Sequence, residues 1–414
     1  MAKSDRYVVG LDIGATKICC AVAEVKDGDL VEMAGIGLTP SRGIRKGVVV
    51  NLDATVEAIK ACVEEAELSA GVNVECASVG VTGTHMRSFN SRGVVTVSGK
   101  DKTVTREDVR RVMEAARAVS IPPEREILHV LPQEFVLDDQ GGISSPVGMN
   151  GSRLETNVHI VTAATASIQN LVACANKAGI EVRDMVLEHL AIAESVLTQD
   201  EKDLGVALVD VGGGTTDVAI FEKGAAWHTA VLPVGGDHFT NDLAVGLRTP
   251  IPDAERLKKQ HGCALASLVE EDEGIDVPSV GGRKSRLLSR QVMAEILEPR
   301  AEEIFTLLQE EIQRAGFHKL LNAGVVLTGG GSLLPGMIEV AEQVFDLPVR
   351  RGVPREIGGL AESADPQAVT AIGLALHGAR NRSVRRARTL PPDAGILVRM
   401  GDRVRHWFSE MFSS

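Results

Sequence analysis

Residues 8–22, VVGLDIGATKICCAV, and residues 206–221, VALVDVGGGTTDVAIF, carry one pattern: an apolar strand ending in Asp, a Gly/Thr turn, and a second apolar strand. The likeness continues downstream of each copy. The first is followed by the turn Asp27-Gly28-Asp29 and a third strand, LVEMAGIGL; the second by Lys223-Gly224 and AAWHTAVLPV. Each then has a helix of mixed apolar and charged period, LDATVEAIKACVEEAEL or RQVMAEILEPRAEEIFTLLQEEIQRA. Each closes with a strand running into a glycine turn, CASVGVTGTH (76–85) or NAGVVLTGGGS (322–332). Matched stations in the same order predict two related α/β domains facing each other.

The chain's 414 residues exceed what one hydrophobic core usually supports. Hydrophobic content is 44% with only 3% aromatics, so Val, Ala, Leu and Ile must build the core. A net charge of −12 excludes a general nucleic-acid binder, which needs a broadly basic surface. The six cysteines form no C-x-x-C pair and read as small buried hydrophobes in a reducing cytosol. The start, MAKSDRYVVGLDIG, has no apolar leader, and no stretch of about 20 apolar residues occurs. The expectation is a cytoplasmic protein that does not span a membrane.

Two segments fit neither half. Met86 to His159 reads as a separate small unit, with Thr105 and Asp108 marking a capped helix start and ILHVLPQEFVLDDQGGISSPVGMNG reading as strand, turn and Gly-rich loop. Asp237 to Phe317, with its acidic loop EEDEGIDVPSVGGR, is too long for a simple crossover. The expected layout is a first-lobe core over 1–85, an inserted subdomain over 86–160, and a connecting helix with second-lobe core over 161–236. A second inserted subdomain then covers 237–320. Residues 321–380 complete the second lobe and return to the first, 381–395 form an Arg/Pro-rich linker, and 396–414 an amphipathic helix.

A strand–Asp–Gly-turn–strand offers consecutive backbone N–H groups with no side chain in the way, a cradle for phosphate oxygens. Asp12 and Asp210 place a carboxylate beside each cradle. A hydrated Mg²⁺ removes the resulting repulsion, since it keeps most of its waters and bridges carboxylate to phosphate. Two such turns gripping one polyphosphate make a nucleotide clamp. TGGGSLLPG (328–336) adds three glycines at a strand end, where backbone can lie flat against a base. Glu255 and Lys258, three apart on one helix face, suit a ribose and the base region.

DIGATK, DVGGGTTD, LEHLAIAES (187–195) and LTGGGS resemble the phosphate-1, phosphate-2, connecting-helix and adenosine motifs of the actin/sugar-kinase/chaperone ATPase superfamily. The resemblance implies an actin-like α/β fold of two facing ribonuclease-H-like domains, with ATP and Mg²⁺ between them. The implied ATP contacts are Gly14, Ala15, Thr16 and Lys17; Gly212, Gly213, Gly214, Thr215 and Thr216; Gly236, Glu255 and Lys258; and Gly329, Gly330, Gly331 and Ser332. Asp12 and Asp210 would hold Mg²⁺ through water, and Glu188 would orient the hydrolytic water.

The interval TPSRGIRKGVVVNLD is too short for the subdomain that actin inserts there; the extra unit follows VGVTGTH instead. That placement, with HVLPQEFVLDDQGGISSPVGMNG and HGCALASL…VPSVGGR, is similar to the FtsA family of bacterial cell-division proteins over nearly the whole chain. One departure is Ala15, where members often carry a hydroxyl residue; phosphate contact on that side falls to the backbone. The resemblance implies a membrane tether for the division ring, with at most slow ATP hydrolysis, rather than a metabolic enzyme. Its implied partners are the C-terminal peptide of FtsZ at Arg286 and Arg300, further copies of itself, and later division proteins through the first insertion.

The tail ILVRMGDRVRHWFSEMF (396–412) supports this independently. At about 100° per residue, Ile396, Leu397, Met400, Val404, Trp407, Phe408, Met411 and Phe412 form one apolar arc free of charge. Arg380, Arg382, Arg385, Arg386 and Arg388 precede it. A basic cluster followed by such a helix suits the headgroup region of an anionic bilayer; the resemblance implies the cytoplasmic side of the inner membrane, at the septum. A small-metabolite kinase would have no use for this tail, and a pilus-assembly ATPase of the same fold typically lacks it. Asp217, which could be misread as a kinase's base, is expected to stabilise its turn.

Overall fold

A computed structural model describes residues 6–26, 30–99, 101–270, 272–355, 357–359 and 365–386. The first half opens with β1 (Tyr7–Ile13), β2 (Lys17–Val25) and β3 (Val31–Pro40), then a short hairpin of β4 (Ile44–Arg45) and β5 (Val48–Val49). α1 (Leu52–Ala70) and β6 (Cys76–Val81) follow. Asn51 caps α1 by accepting from Ala54 N–H, and Gly71 ends it in a left-handed turn.

The chain then leaves the sheet. β7 (Arg87–Thr96), α2 (Arg106–Arg117), β8 (Arg125–Leu137), β9 (Gln140–Ile143) and β10 (Arg153–Ala164) form a four-stranded sheet ordered β7-β10-β8-β9 with α2 against it. This unit has its own core around Val109, Met113, Phe135 and Ile160. The reciprocal cap between Thr105 and Asp108 is present. Part of the expected Gly-rich loop is strand β9, because Phe135 and Leu137 supply a pairing edge.

α3 (Thr165–Lys177) and β11 (Glu181–Leu187) return to the first sheet, where β11 runs parallel to β6. Residues 165–187, expected with the second lobe, thus pack in the first. Without β11, the edge of the apolar strand β6 would be left unpaired. α4 (Glu188–Val196) and α5 (Gln199–Leu204) lead to β12 (Val206–Val211), β13 (Thr216–Glu222) and β14 (Ala225–Leu232). α6 (Gly236–Gly246), α7 (Ile251–His261), the hairpin β15 (Gly274–Val277) with β16 (Arg286–Ser289), and α8 (Arg290–Arg314) precede β17 (Val325–Thr328). α9 (Met337–Phe345), β18 (Val349–Arg351) and α10 (Val369–Arg386) complete the described chain.

The two large sheets have one topology. Their orders are β3-β2-β1-β6-β11 and β14-β13-β12-β17-β18: an antiparallel meander extended by two parallel strands. The central strands are almost wholly buried, as apolar runs covered on both faces must be. α10 crosses back to cover β1 and β2 with Ala371, Ile372, Ala375 and Ala379, joined by Ala368 just before it. It continues to Arg386, so residues 381–386 are helical rather than linker. Cys76 is half-buried; the other five cysteines are buried, and all six are free. No helix among the described residues is long and apolar enough to cross a membrane.

Candidate functional site

The two glycine turns meet face to face. β1 ends at buried Asp12, and Lys17 at the start of β2 reaches back to place Nζ 2.6 Å from Asp12 Oδ2. Burial opposes the charge on Lys17, but Asp12, with Cys19 and Asp210 behind it, raises its pKa overall. On the opposite side, Gly212 N–H closes its own turn on Thr215 O at 3.0 Å. A Cβ added to Gly213 would fall 2.2 Å from Thr16 Cγ2, and one on Gly214 would stand 3.2 Å from Ala15 Cβ. The turns are in van der Waals contact, and only glycine fits at 213.

Around them lies a cleft of about 400 Å³. Of the residues expected at a nucleotide, Gly14, Ala15, Thr16, Lys17, Gly212, Gly213, Gly214, Thr215, Gly236, Glu255, Lys258, Gly329, Gly330 and Gly331 line it, as do Asp12, Glu188 and Asp210. Two do not. Thr216 is buried with its hydroxyl donating to Val234 O at 2.8 Å, and Ser332 donates to Gly329 O at 2.7 Å. Both hydroxyls are consumed in shaping loops. Gly236 lines the wall, but its N–H is given to Gly212 O at 2.9 Å, so it offers surface rather than a donor.

One end of the cleft is polar on one wall and flat on the other. Glu255 and Lys258 pair at 2.6 Å, and Lys258 Nζ also donates to Gly236 O at 2.9 Å and Thr240 Oγ1 at 2.7 Å. Facing them, Gly329, Gly330 and Gly331 combine with Leu333, Leu334 and Pro335. Gly329 holds φ 82°, and a Cβ there would lie 2.0 Å from Asp210 Oδ1. Gly331 is equally closed, a Cβ there falling 2.4 Å from Val211 Cγ1, whereas Gly330 has room for one.

At the other end, Glu188, Asp210 and Asp217 each bring a carboxylate oxygen within 4.8 Å of the others. Burial pushes Asp210 up to about 6, with Asp12 adding to it and Lys17 opposing. Burial, then Asp12, Asp217 and Asp210, hold Glu188 well above the carboxylate range. Burial and Asp210 do the same for Asp217. Asp217 therefore belongs to the acidic floor and does not simply brace its own turn. Its Oδ2 accepts from Thr82 Oγ1 of the first lobe at 2.8 Å, while buried Oδ1 has no hydrogen-bond partner. Three clustered carboxylates, with the Asp12–Lys17 pair beside them and one oxygen orphaned, are the donor set a hard divalent cation wants. Proton sharing is the only relief without one. The residues fit Mg²⁺ with a polyphosphate.

The sequence reading missed Thr82, Gly80, Gly47, Asp237 and Gln367, all in the cleft wall. Gly80 and Thr82 lie in the strand and turn CASVGVTGTH but were given no site role, and Gly47, Asp237 and Gln367 come from separate segments that folding brings in. Arg286 is exposed on β16 and donates to Leu247 O. Arg300 on α8 pairs with Asp242 of α6, Nε to Oδ2 at 2.6 Å, and with Glu303. Neither lines the cleft. The tail residues Ile396, Leu397, Met400, Val404, Trp407, Phe408, Met411 and Phe412 lie outside the described residues.

Comparison with known proteins agrees with this geometry. Residues 207–373 match the family model "Cell division protein FtsA", and residues 83–162 match "SHS2 domain inserted in FTSA". The chain is 49% identical to the cell division protein FtsA of Pseudomonas aeruginosa, covering 92% of this chain and 91% of the relative. Identity to that of Escherichia coli K12 is 40%, covering 100% and 98%. Among solved structures it is similar to a PilM-PilN type IV pilus biogenesis complex, with TM-score 0.66, 17% identity, and 90% and 98% of the two chains covered. MreB5 of Spiroplasma citri bound to ADP gives TM-score 0.54 and 14% identity, with coverage of 92% and 99%. Similarity to these structures over nearly the whole chain shows an actin-like fold. With relatives this similar along almost their full length, the chain belongs to the FtsA family of cell-division proteins.

Proposed function

We propose that the chain binds ATP with Mg²⁺ in this cleft, assembles with copies of itself, and tethers FtsZ to the cytoplasmic face of the inner membrane at the septum. The observation that carries the nucleotide half is the interlocked pair of glycine turns over an acidic floor with an orphaned oxygen. Asp12 and Asp210 would hold the metal through water, and the bound ion neutralises phosphate charge beside the carboxylates. The turns supply backbone N–H groups, Lys17 supplies one cation, and the Gly329–Gly331 triplet receives the base. Glu188 would orient water; burial, with Asp12, Asp217 and Asp210 around it, raises its pKa well above the ordinary carboxylate value.

The tether rests on the tail and the second insertion. Half-burying eight apolar side chains contributes about 8 kcal/mol at most, at about 1 kcal/mol each. Helix ordering offsets much of that. One tail binds weakly, and several on one polymer bind firmly through effective concentration. FtsZ's C-terminal peptide would engage Arg300 in exchange for Asp242.

Flotation with vesicles containing anionic lipid tests the reading. With ATP and Mg²⁺, the protein should carry FtsZ to the vesicles; FtsZ left behind while the protein floats would refute the tether. Arg300→Glu should abolish FtsZ recruitment. Adding Asp242→Arg should restore the ion pair and melting temperature without restoring recruitment.

A further inference from the structure

Between β3 and α1 the first lobe carries only the β4–β5 hairpin, whose turn is Lys46-Gly47. Both residues are left-handed, Lys46 at φ 49° and Gly47 at φ 77°. That two-residue geometry normally selects Asn, Asp or Gly first. A lysine there is strained, as it is in the Lys223-Gly224 turn between β13 and β14, at φ 51° and 77°.

The turn is clamped on both sides. Lys46 O accepts from Thr84 N–H at 3.2 Å, and a Cβ on Gly47 would lie 2.3 Å from Thr82 O. Across the cleft, a Cβ on Gly214 would stand 3.3 Å from Lys46 N. This first-lobe turn therefore abuts the second lobe's phosphate loop, beside the Thr82–Asp217 bond. Gly47 itself lines the cleft.

Direction along the loop assigns the ligand atom. Gly236, close to Gly213 Cα and Lys258 Nζ, marks the base end, whereas Gly214 faces Ala15 and Lys46. A triphosphate laid from base to tip along residues 212–214 would end beside the Lys46-Gly47 turn, whose Gly47 lines the cleft and whose Lys46 backbone abuts Gly214. Lys46 is half-buried and makes no ion pair with any described residue, and Arg42 and Arg45 beside it are exposed. In a chain of net charge −12, an unpaired cation held in a strained turn against a phosphate loop calls for an anion.

We propose that Lys46 distinguishes ATP from ADP, its ammonium meeting the terminal phosphate where the two lobes touch. The inference rests on the nucleotide reading of the cleft. ATP and ADP, each with Mg²⁺, are titrated by equilibrium dialysis into the full chain and into Lys46→Gln, Lys46→Arg and Lys46→Gly, with melting recorded alongside. Losing one charge-assisted contact should weaken ATP about tenfold in Lys46→Gln and leave ADP within about twofold. Lys46→Arg should keep the preference. Lys46→Gly relieves the turn, so it should melt no lower than wild type yet lose the preference. Equal losses for both nucleotides, or unchanged ATP affinity in Lys46→Gln, would overturn the assignment. Wild-type protein binding neither nucleotide would sink the cleft reading itself, a result distinct from selective loss.

Discussion

At Gly213 the missing side chain is what lets the two lobes touch. An alanine there would put its Cβ 2.2 Å from Thr16 Cγ2 and 2.6 Å from Thr16 Oγ1, forcing the turns apart. Gly213→Ala should weaken ATP binding about tenfold or more, since misplacing contacts by an ångström costs charge-assisted bonds. Adding Thr16→Ala removes both crowding atoms and leaves only Thr16 Cβ, at 2.9 Å, so part of the affinity should return. A single variant that titrates like wild type would contradict the interlock. Gly213 was visible in its motif; that its neighbour is Thr16 was not. Thr215 and Thr216 show the same limit, being adjacent in sequence with one hydroxyl residue on the cleft wall and the other tied to Val234 O.

The first insertion is more than an appendage of the lobe that carries it. Ser88 Oγ on β7 donates to Thr229 O at 2.7 Å, and Gln133 Nε2 on β8 donates to Trp227 O at 3.2 Å, both on β14 of the second lobe. His159 on β10 sits between Asn90 Oδ1 at 2.7 Å and Thr229 Oγ1 at 2.9 Å. Burial, with His228 and His189 nearby, holds His159 down to about 3. Its folded pKa lies below the unfolded value near 6.5, so the unfolded chain takes the proton first as pH falls. The stability associated with a neutral His159 is full above about pH 6.5 and lost progressively towards pH 3. At pH 5 this group alone should cost about 2 kcal/mol. Urea denaturation at pH 7 and pH 5 should show His159→Asn losing about that much less than wild type between the two. An equal loss would place the titration elsewhere. The sequence marked this unit by length and cap; its docking on β14 depends on side chains from four strands and has no linear signature.

For the molecule as a whole, the repeated topology explains why the site lies where it does. Each five-stranded sheet ends its first hairpin at the same relative place, so two facing copies bring two phosphate turns to one point. Deleting residues 396–414 should abolish vesicle binding while leaving the melting temperature and ATP affinity unchanged, because the cleft is built wholly from residues before 371. Vesicle binding that survives the deletion would move the anchor to another surface. Coupled loss of ATP affinity would show that the tail contacts the folded body.

The doubled strand–turn–strand pattern, its glycine turns and the extra unit within the first half were legible in the amino-acid order. They are expressed by local pattern, in which period, turn chemistry and repetition survive without coordinates. Only the folded chain decided that β11 completes the first sheet, that Asp217 joins Glu188 and Asp210 in a shared acidic floor, and that Lys46 leans on Gly214. Each of those depends on segments far apart in sequence closing to within a few ångströms. Burial then decides which carboxyl keeps its proton, and burial is a property of the packed molecule that no linear motif records.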